Sequence, residues 1–268
     1  MIEQLIRIIN RANFGRYGTN RFLTQAAAAL EPLATAGQSL ALYQLGMLHW
    51  DGWGVIQNRK RALKLLEAAA ASGNRKALYN LATIYDTGMS VAVNRAKACM
   101  LFAKAARLGD REAMHSLGDM LYSGEGINQQ LTRAKYWFLK AAQQGHVIAM
   151  YDVASCYQSG SGTRRNTRLA IKWYTRALEA GETRALTGLG FCYYKLVSPP
   201  DIMRARSYFE QASEFGHKNA AYNLGLIAEQ GIGQTPLLPD AVFWYRRAAE
   251  LGHEGASLKL ATLFEEDF

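Results

Sequence analysis

Seven glycines recur at a near-constant interval along this chain: Gly37, Gly73, Gly109, Gly145, Gly181, Gly216 and Gly252, separated by 36, 36, 36, 36, 35 and 36 residues. A period of this length marks a repeat architecture, in which each copy buries its apolar face only by stacking on its neighbours. Four residues after each glycine an alanine opens related hexads such as Ala41-Leu42-Tyr43-Gln44-Leu45-Gly46 and Ala220-Ala221-Tyr222-Asn223-Leu224-Gly225. This segment is termed helix A. A second ladder, Ala62, Ala98, Ala134, Ala170, Ala205 and Ala241, is followed three and four residues on by bulky pairs such as Leu65-Leu66, Trp173-Tyr174 and Trp244-Tyr245. This is helix B. Small residues seven and eight positions after the ladder alanine, as in Ala69-Ala70 and Ala141-Ala142, allow close helix approach while the large rings fill the gaps.

The glycine ladder ends helix B, where a left-handed residue closes the last turn. Between A and B runs Gly-x-Gly, as in Gly52-Trp53-Gly54, Gly124-Glu125-Gly126, Gly160-Ser161-Gly162 and Gly231-Ile232-Gly233. Asn58, Asn94, Asn166 and Asp201 stand four residues before the helix B alanine, the place for a short polar side chain to cap that helix. Ser90 replaces one turn glycine, Gln130 and Leu237 replace the cap, and unit five reads Lys195-Leu196-Val197-Ser198-Pro199-Pro200 with one residue deleted. That shortened, proline-stiffened turn predicts a local change of superhelical curvature between units five and six. Six repeats are expected at 38–73, 74–109, 110–145, 146–181, 182–216 and 217–252. Residues 1–37 read as N-terminal capping helices with Ile2, Leu5, Ile6 and Ile9 on one stripe, and 253–268 as a C-terminal capping helix whose acidic Glu265-Glu266-Asp267 suits solvent.

Composition fits a chain folded throughout, with 49% hydrophobic residues, 5 prolines and no run of like charge. No apolar stretch reaches the roughly 20 residues that span a bilayer, so a soluble protein is expected. The first ten residues carry Glu3 and alternate in helical fashion, unlike a secretion signal. Three cysteines, Cys99, Cys156 and Cys192, form no disulfide framework and fit a reducing compartment. The expectation is cytoplasmic, although a periplasmic chain whose signal had been removed would read the same way.

Ala-x-Tyr-Asn-Leu-Gly, Gly-x-Gly, Trp-Tyr-x-x-Ala-Ala and a terminal Gly-His resemble, in this order and over nearly the whole chain, the Sel-one-like repeat, a relative of the tetratricopeptide repeat. The resemblance implies an all-α fold, a right-handed α/α superhelix of tandem antiparallel helix pairs with helices A lining the concave surface. It further implies a non-catalytic adaptor or scaffold that binds a protein or peptide in that groove. Members serve in bacteria and eukaryotes, in secretion, envelope, host-contact and toxin-neutralising settings; a bacterial scaffold is expected here, and a toxin or effector is one candidate partner. Cysteine-rich members pair cysteines within each unit, and this chain lacks that pattern.

Catalysis needs titratable groups converging on one point, and the pattern shows none. His146, His217 and His253 directly follow terminating glycines and read as turn or packing residues rather than bases. His49 and His115 lie two units apart, too far at about 10 Å per stacked helix to share a metal. Cys156 and Cys192 occupy a column filled elsewhere by Leu48, Ile84, Met120 and Ile227 and read as core. No nucleophile, phosphate loop or paired-carboxylate signature remains, so no enzyme, metal or cofactor is expected.

Counting about 100° per residue from the helix A alanine, offsets 0, 4, 7, 8 and 11 form the core side and offset 5 is small for close packing. Offset 2, with Tyr43, Tyr79, Tyr151 and Tyr222, belongs to the family pattern and reads as mainly structural. Offsets 6 and 9 face outward and vary between units. They supply the candidate partner-binding residues Met47, Trp50, Asp86, Asp119, Tyr122, Phe191 and Tyr194. Aromatics would anchor the partner and the two aspartates would select its cations; the competing reading is that the rings cover neighbouring helices.

Net charge is +9 with an isoelectric point near 9.5, but the cations lie in helix B and the turns, as in Arg59-Lys60-Arg61, Arg164-Arg165-Arg168 and Arg246-Arg247. A scattered set of this kind argues against a nucleic-acid groove and reads as solvated surface. Nucleic-acid or anionic-surface binding through a basic convex face is the alternative. The core assignment predicts that all three thiols are reduced and react slowly with a thiol reagent until the fold is loosened; rapid labelling of the native protein would contradict it. Cys192→Ser is expected to destabilise by more than the roughly 0.5 kcal/mol of a surface change, measured by denaturant unfolding.

Overall fold

The computed structural model describes Arg7, residues 20–233 and residues 235–265, and among these it holds fourteen α-helices, one π-helical turn and no strand. The stripe at Ile2, Leu5, Ile6 and Ile9, and the acids Glu266 and Asp267, lie outside the described residues. The chain divides into two compact units, Met1–Gln130 and Leu131–Phe268.

In the first unit six helices follow one another: α1 (Asn20–Thr35), α2 (Ser39–Asp51), α3 (Arg59–Ala71), α4 (Arg75–Thr87), α5 (Arg95–Arg107) and α6 (Arg111–Ser123). Each packs on the next in chain order, the neighbour-only connectivity of a solenoid. The second unit repeats the scheme with α7 (Leu131–Gln143), α8 (Val147–Ser159), α9 (Thr167–Glu179) and α10 (Arg184–Phe191), which runs on as a π-helical turn (Cys192–Leu196). It continues with α11 (Ile202–Glu214), α12 (Lys218–Glu229), α13 (Leu238–Glu250) and α14 (Glu254–Glu265). Helices A are α2, α4, α6, α8, α10 and α12.

The alanine ladders mark the lines of closest approach. All thirteen, from Ala41 and Ala62 to Ala241 and Ala256, are 0% exposed. Beside them, the small residue at helix A offset 5 faces the large residue at helix B offset 4. A Cβ on Gly190 would lie 2.5 Å from the Phe209 ring, one on Gly225 2.5 Å from the Tyr245 ring, and one on Gly46 3.1 Å from Leu66. The expected helix B caps form: Asn58, Asn94, Asn166 and Asp201 accept from the N–H groups of Arg61, Lys97, Leu169 and Arg204.

Leu237 makes no side-chain cap hydrogen bond, yet its turn holds, because a backbone bond closes every A–B turn. The N–H of the cap residue donates to a carbonyl near the end of helix A: Asn58 to His49, Asn94 to Tyr85, Gln130 to Leu121, Asn166 to Tyr157, Asp201 to Tyr193 and Leu237 to Ala228. The shortened turn of unit five keeps this bond with seven residues between partners instead of eight. It does so through the π-helical turn, closed by Val197 N–H donating to the Cys192 carbonyl at 2.9 Å.

The second turn glycine has a role that sequence reading assigned only to turn geometry. At Gly162, φ is +66° and an added Cβ would fall 2.2 Å from the Leu131 carbonyl oxygen, so this turn lies directly on the start of the preceding helix B. Ser90, also left-handed with φ 65°, fits the equivalent place because it meets a side chain there: Arg59 Nη1 donates to its Oγ at 3.2 Å.

An alanine at a helical glycine ordinarily stabilises by up to about 1 kcal/mol, but Gly225→Ala is expected to destabilise by about 1–3 kcal/mol through the clash with Tyr245. Adding Tyr245→Leu should recover part of that loss. A double-mutant cycle in urea with no coupling between the two changes would refute the contact.

Candidate functional site

The outward columns of helices A build two adjoining pockets in the first unit. One, of about 160 Å³, opens between α2 and α4; Met47 and Trp50 form one wall, Tyr79, Asn80 and Thr83 the other, Leu66 the floor and Met89 the rim. Asn80 Nδ2 donates to Met47 Sδ at 3.0 Å and to Tyr43 Oη at 3.4 Å, fixing the wall. Trp50 is half-buried, with the Arg59 guanidinium 5.4 Å from its ring centre. The second pocket, of about 300 Å³, opens between α4 and α6 and gathers Asp86, Asp119, Tyr122 and Glu125 around Arg95. Arg95 pairs with Asp86 at 3.8 Å and Glu125 at 3.2 Å. Asp119 lies 3.3 Å from His115, one turn back on α6. Tyr122 is 39% exposed. The first unit therefore gathers Met47 with Trp50, and Asp86 with Asp119 and Tyr122.

In the second unit the other two candidates are drawn inward. Phe191 is half-buried against the core that α10, α11 and α12 share. Tyr194 corrects the outward assignment: it is 4% exposed, its ring meets Phe209 edge-on at 6.5 Å, and its hydroxyl donates to Gln230 at 3.4 Å. A fixed 100° step places Tyr194 on the outward column, but the residue stands inside the π-helical turn Cys192–Leu196, where the wider turn departs from that step.

In units four to six the residue at offset 9 answers the helix B residue at offset 4. Where that is tyrosine, offset 9 is an acceptor; Tyr174 donates to Gln158 Oε1 at 2.6 Å, and Tyr245 donates to Glu229. Where it is Phe209, offset 9 is the aromatic Tyr194. From the other side, the offset 2 tyrosines Tyr79, Tyr151 and Tyr222 pack on Phe102, Tyr174 and Tyr245 at 5.4–5.6 Å. Offset 2 is thus built into the helix pair.

Several other titratable groups among the described residues are structural or exposed. His146 and His253 cap α8 and α14 through Nδ1, which accepts from Ala149 and Ala256 N–H at 3.1 Å; Asn74 and Asp110 cap α4 and α6 through their side-chain oxygens. His217 Nε2 lies 3.2 Å from Thr183 Oγ1. Buried His49 finds no hydrogen-bond partner for either ring nitrogen among the described residues, with Glu31 4.0 Å away. Burial pushes the Cys156 thiol up to about 11, with Asp152 adding to it, and the Cys192 thiol up to about 12, while Cys99 is half-buried. Many cations already have acids at hand: Arg61 with Glu31 at 2.7 Å, Arg184 with Glu182 at 2.8 Å, Arg204 with Asp201 at 3.2 Å and Arg247 with Glu250 at 3.6 Å. Arg164, Arg165 and Arg168 are exposed. No helix of the described residues is long and apolar enough to cross a membrane.

The Sel1 repeat model matches residues 39–74, 75–110, 111–146, 147–182, 183–217 and 218–253. The chain belongs to the Sel1 repeat family. Among solved structures, a protective antigen of uropathogenic Escherichia coli strains with an SLR fold is 29% identical at a TM-score of 0.75, over 99% of this chain and 59% of that one. This Sel1 repeat chain thus spans about three fifths of that relative's length. A Sel1 repeat protein of Oxalobacter formigenes is 24% identical at a TM-score of 0.69, over 92% of this chain and 96% of that one. Comparison with curated proteins gives no match. Sel1 and tetratricopeptide-like repeats generally mediate protein–protein interaction, and the Sel1 scaffold is generally non-catalytic.

Two carboxylates tie the pH response of the second Sel1 unit to its helix packing. Burial opposes ionisation of Glu229, but hydrogen bonds from Lys259 and Tyr245 and the Lys259 charge outweigh it and hold the carboxyl below its ordinary range. Hydrogen bonds from Arg184, working against burial, do the same for Glu182. A folded-state value below the unfolded one, which is about 4.3 for glutamate, gives stability that is present above that pH and lost as pH falls toward the folded value. Thermal melts between about pH 6 and pH 3 should therefore show a falling Tm below about pH 4.3. Glu229→Gln should lower the Tm at neutral pH and flatten the acid slope; an unchanged slope would refute the assignment.

Proposed function

We propose that this chain is a non-catalytic scaffold that binds another protein or peptide through its helix-A face. The observation carrying this reading is the pair of pockets in the first unit. There the variable columns expose an aromatic ring, an apolar hollow and several carboxylates side by side, while the alanines and glycines beneath them are fixed by packing. Pockets that mix apolar anchors with a few polar groups are what recognition of a specific partner uses. Of the helix B cations, Arg61, Arg204 and Arg247 lie beside acids of their own chain, which thins the array they offer to phosphates. A narrower form of the same reading is neutralisation of a toxin or effector.

The test is capture of a partner from native lysate, its identification by mass spectrometry, and affinity measurement with two double variants. Trp50→Ala with Tyr122→Ala is expected to weaken binding by about 30-fold or more, since loss of one central aromatic anchor costs about 2 kcal/mol or more. Arg164→Ala with Arg168→Ala is expected to leave it within about threefold. If the arginine pair abolishes binding and the aromatic pair does not, with helicity and Tm native in both, the helix-A face is the wrong surface.

A further inference from the structure

We propose that the second unit takes an aromatic side chain of a protein partner, tyrosine or phenylalanine, in a pocket that opens where Thr187 stands in place of the repeat's tyrosine. This rests on the chain binding a protein, and it uses none of the residues of the two pockets in the first unit.

Three departures from the repeat pattern meet in this pocket. The first is a missing ring. Helix A offset 2 is Tyr43, Tyr79, Tyr151 and Tyr222 in four units but Thr187 in α10. Tyr222 shows where such a ring goes: it packs on Tyr245 at 5.6 Å and lies flat on His253 at the start of the next helix, with centres 4.2 Å apart and planes 12° from parallel. Threonine has no ring to make either contact, and the Thr187 hydroxyl is buried without a hydrogen-bond partner among the described residues. The second departure is the residue equivalent to His253. His217 makes no side-chain cap for α12, whereas His253 caps α14; its Nε2 lies 3.2 Å from Thr183 Oγ1 instead. Burial lowers the His217 pKa, with the Arg184 charge adding to this and Glu182 opposing it, so at neutral pH the ring is an uncharged aromatic wall. The third is an added ring. The residue before the helix-closing glycine is Ser72, Leu108, Gln144, Ala180 and Leu251 in the other units, but here it is Phe215, and it is 63% exposed.

The resulting pocket has a volume of about 460 Å³, and its lining includes Tyr151, Arg184, Thr187, Phe215, His217 and Leu251. A benzene ring fills an engineered cavity of about 150 Å³, so the space admits one ring together with the main chain that carries it. Aromatic walls favour a ring over an aliphatic chain of equal area, because offset and edge-on ring pairs add to the gain from burial. The Arg184 guanidinium, held by Glu182 at 2.8 Å, stands over the Tyr151 ring at 4.7 Å and brings a cation to the same lining. A ring face attracts such a cation and an aliphatic chain does not.

The test follows the fluorine NMR line width of N-acetyl-para-fluorophenylalaninamide against the full chain, with N-acetyl-tyrosinamide and N-acetyl-leucinamide as competitors. The probe is expected to bind with millimolar affinity, and the tyrosine compound to displace it at a concentration about threefold or more below that needed by the leucine compound, the margin that ring stacking adds. Thr187→Tyr, which returns the repeat's own ring and removes no hydrogen bond, should abolish probe binding and keep or raise the Tm. Phe215→Ser, at an exposed position, should weaken probe binding by about threefold or more, and it decides the matter should Thr187→Tyr not fold. Equal displacement by the tyrosine and leucine compounds, no probe binding at millimolar concentration, or unchanged probe binding in either folded variant overturns the inference. With a captured partner, Thr187→Tyr should weaken affinity by about tenfold or more. Unchanged affinity there overturns the inference as well, while the helix-A reading is decided separately by the Trp50/Tyr122 pair, neither of which lines this pocket.

Discussion

Close approach of helix A to helix B, at the point where a glycine or alanine meets a bulky side chain, is the contact on which the rest of each repeat depends. Gly190 against Phe209 and Gly225 against Tyr245 leave no room for one methyl group. With the backbones that near, the ladder alanines lose all contact with water. The ring then acts as a wedge gripped from both sides, by an offset 2 tyrosine on one and an offset 9 residue on the other. The Gly-x-Gly turn can then rest on the start of the preceding helix, as Gly162 does on Leu131. Burial of this kind is roughly proportional to apolar area, and interiors tolerate little change of volume, so the same few positions hold their size throughout the array.

What varies lies on top of this frame. In the first unit the outward residues produce a hollow and an acidic basin side by side, and in the second the corresponding aromatics are spent on packing. Recognition and stability therefore draw on the same columns in different repeats, and position in the pattern alone does not say which use a residue has.

Most of the frame was legible in the sequence because it is periodic and local. A helix B cap such as Asn58 and a left-handed closing glycine such as Gly73 act within a few residues of themselves, so spacing suffices to find them. The core placement of Cys156 and Cys192 followed from their column. Tyr194 was misplaced because column counting assumes a uniform helical step, and a π-helical turn breaks it where unit five is one residue short. The ion pairs of Asp86 and Asp119, the acceptor role of Gln158 and the contact of Gly162 with the preceding helix depend on which side chains meet across helices. Comparing offset 9 with helix B offset 4 down the repeats was the signal available for one of these. The histidine caps had a signal too, since His146 and His253 occupy the place that Asn74 and Asp110 hold in other units.

The ring at helix B offset 4 also constrains how such a surface can diverge. Replacing Glu229 strands the hydroxyl of Tyr245 in a packed interior, so a new residue there becomes tolerable only alongside a second change on the opposing helix, such as tyrosine to phenylalanine. Offset 6 has no such tether at Thr83, whose hydroxyl bonds only to its own helix at the Tyr79 carbonyl. Single-step drift is therefore open at Thr83 and closed at Glu229. Descendants of one ancestral repeat array would be expected to exchange partners first through the former, carrying the latter along as half of a matched pair.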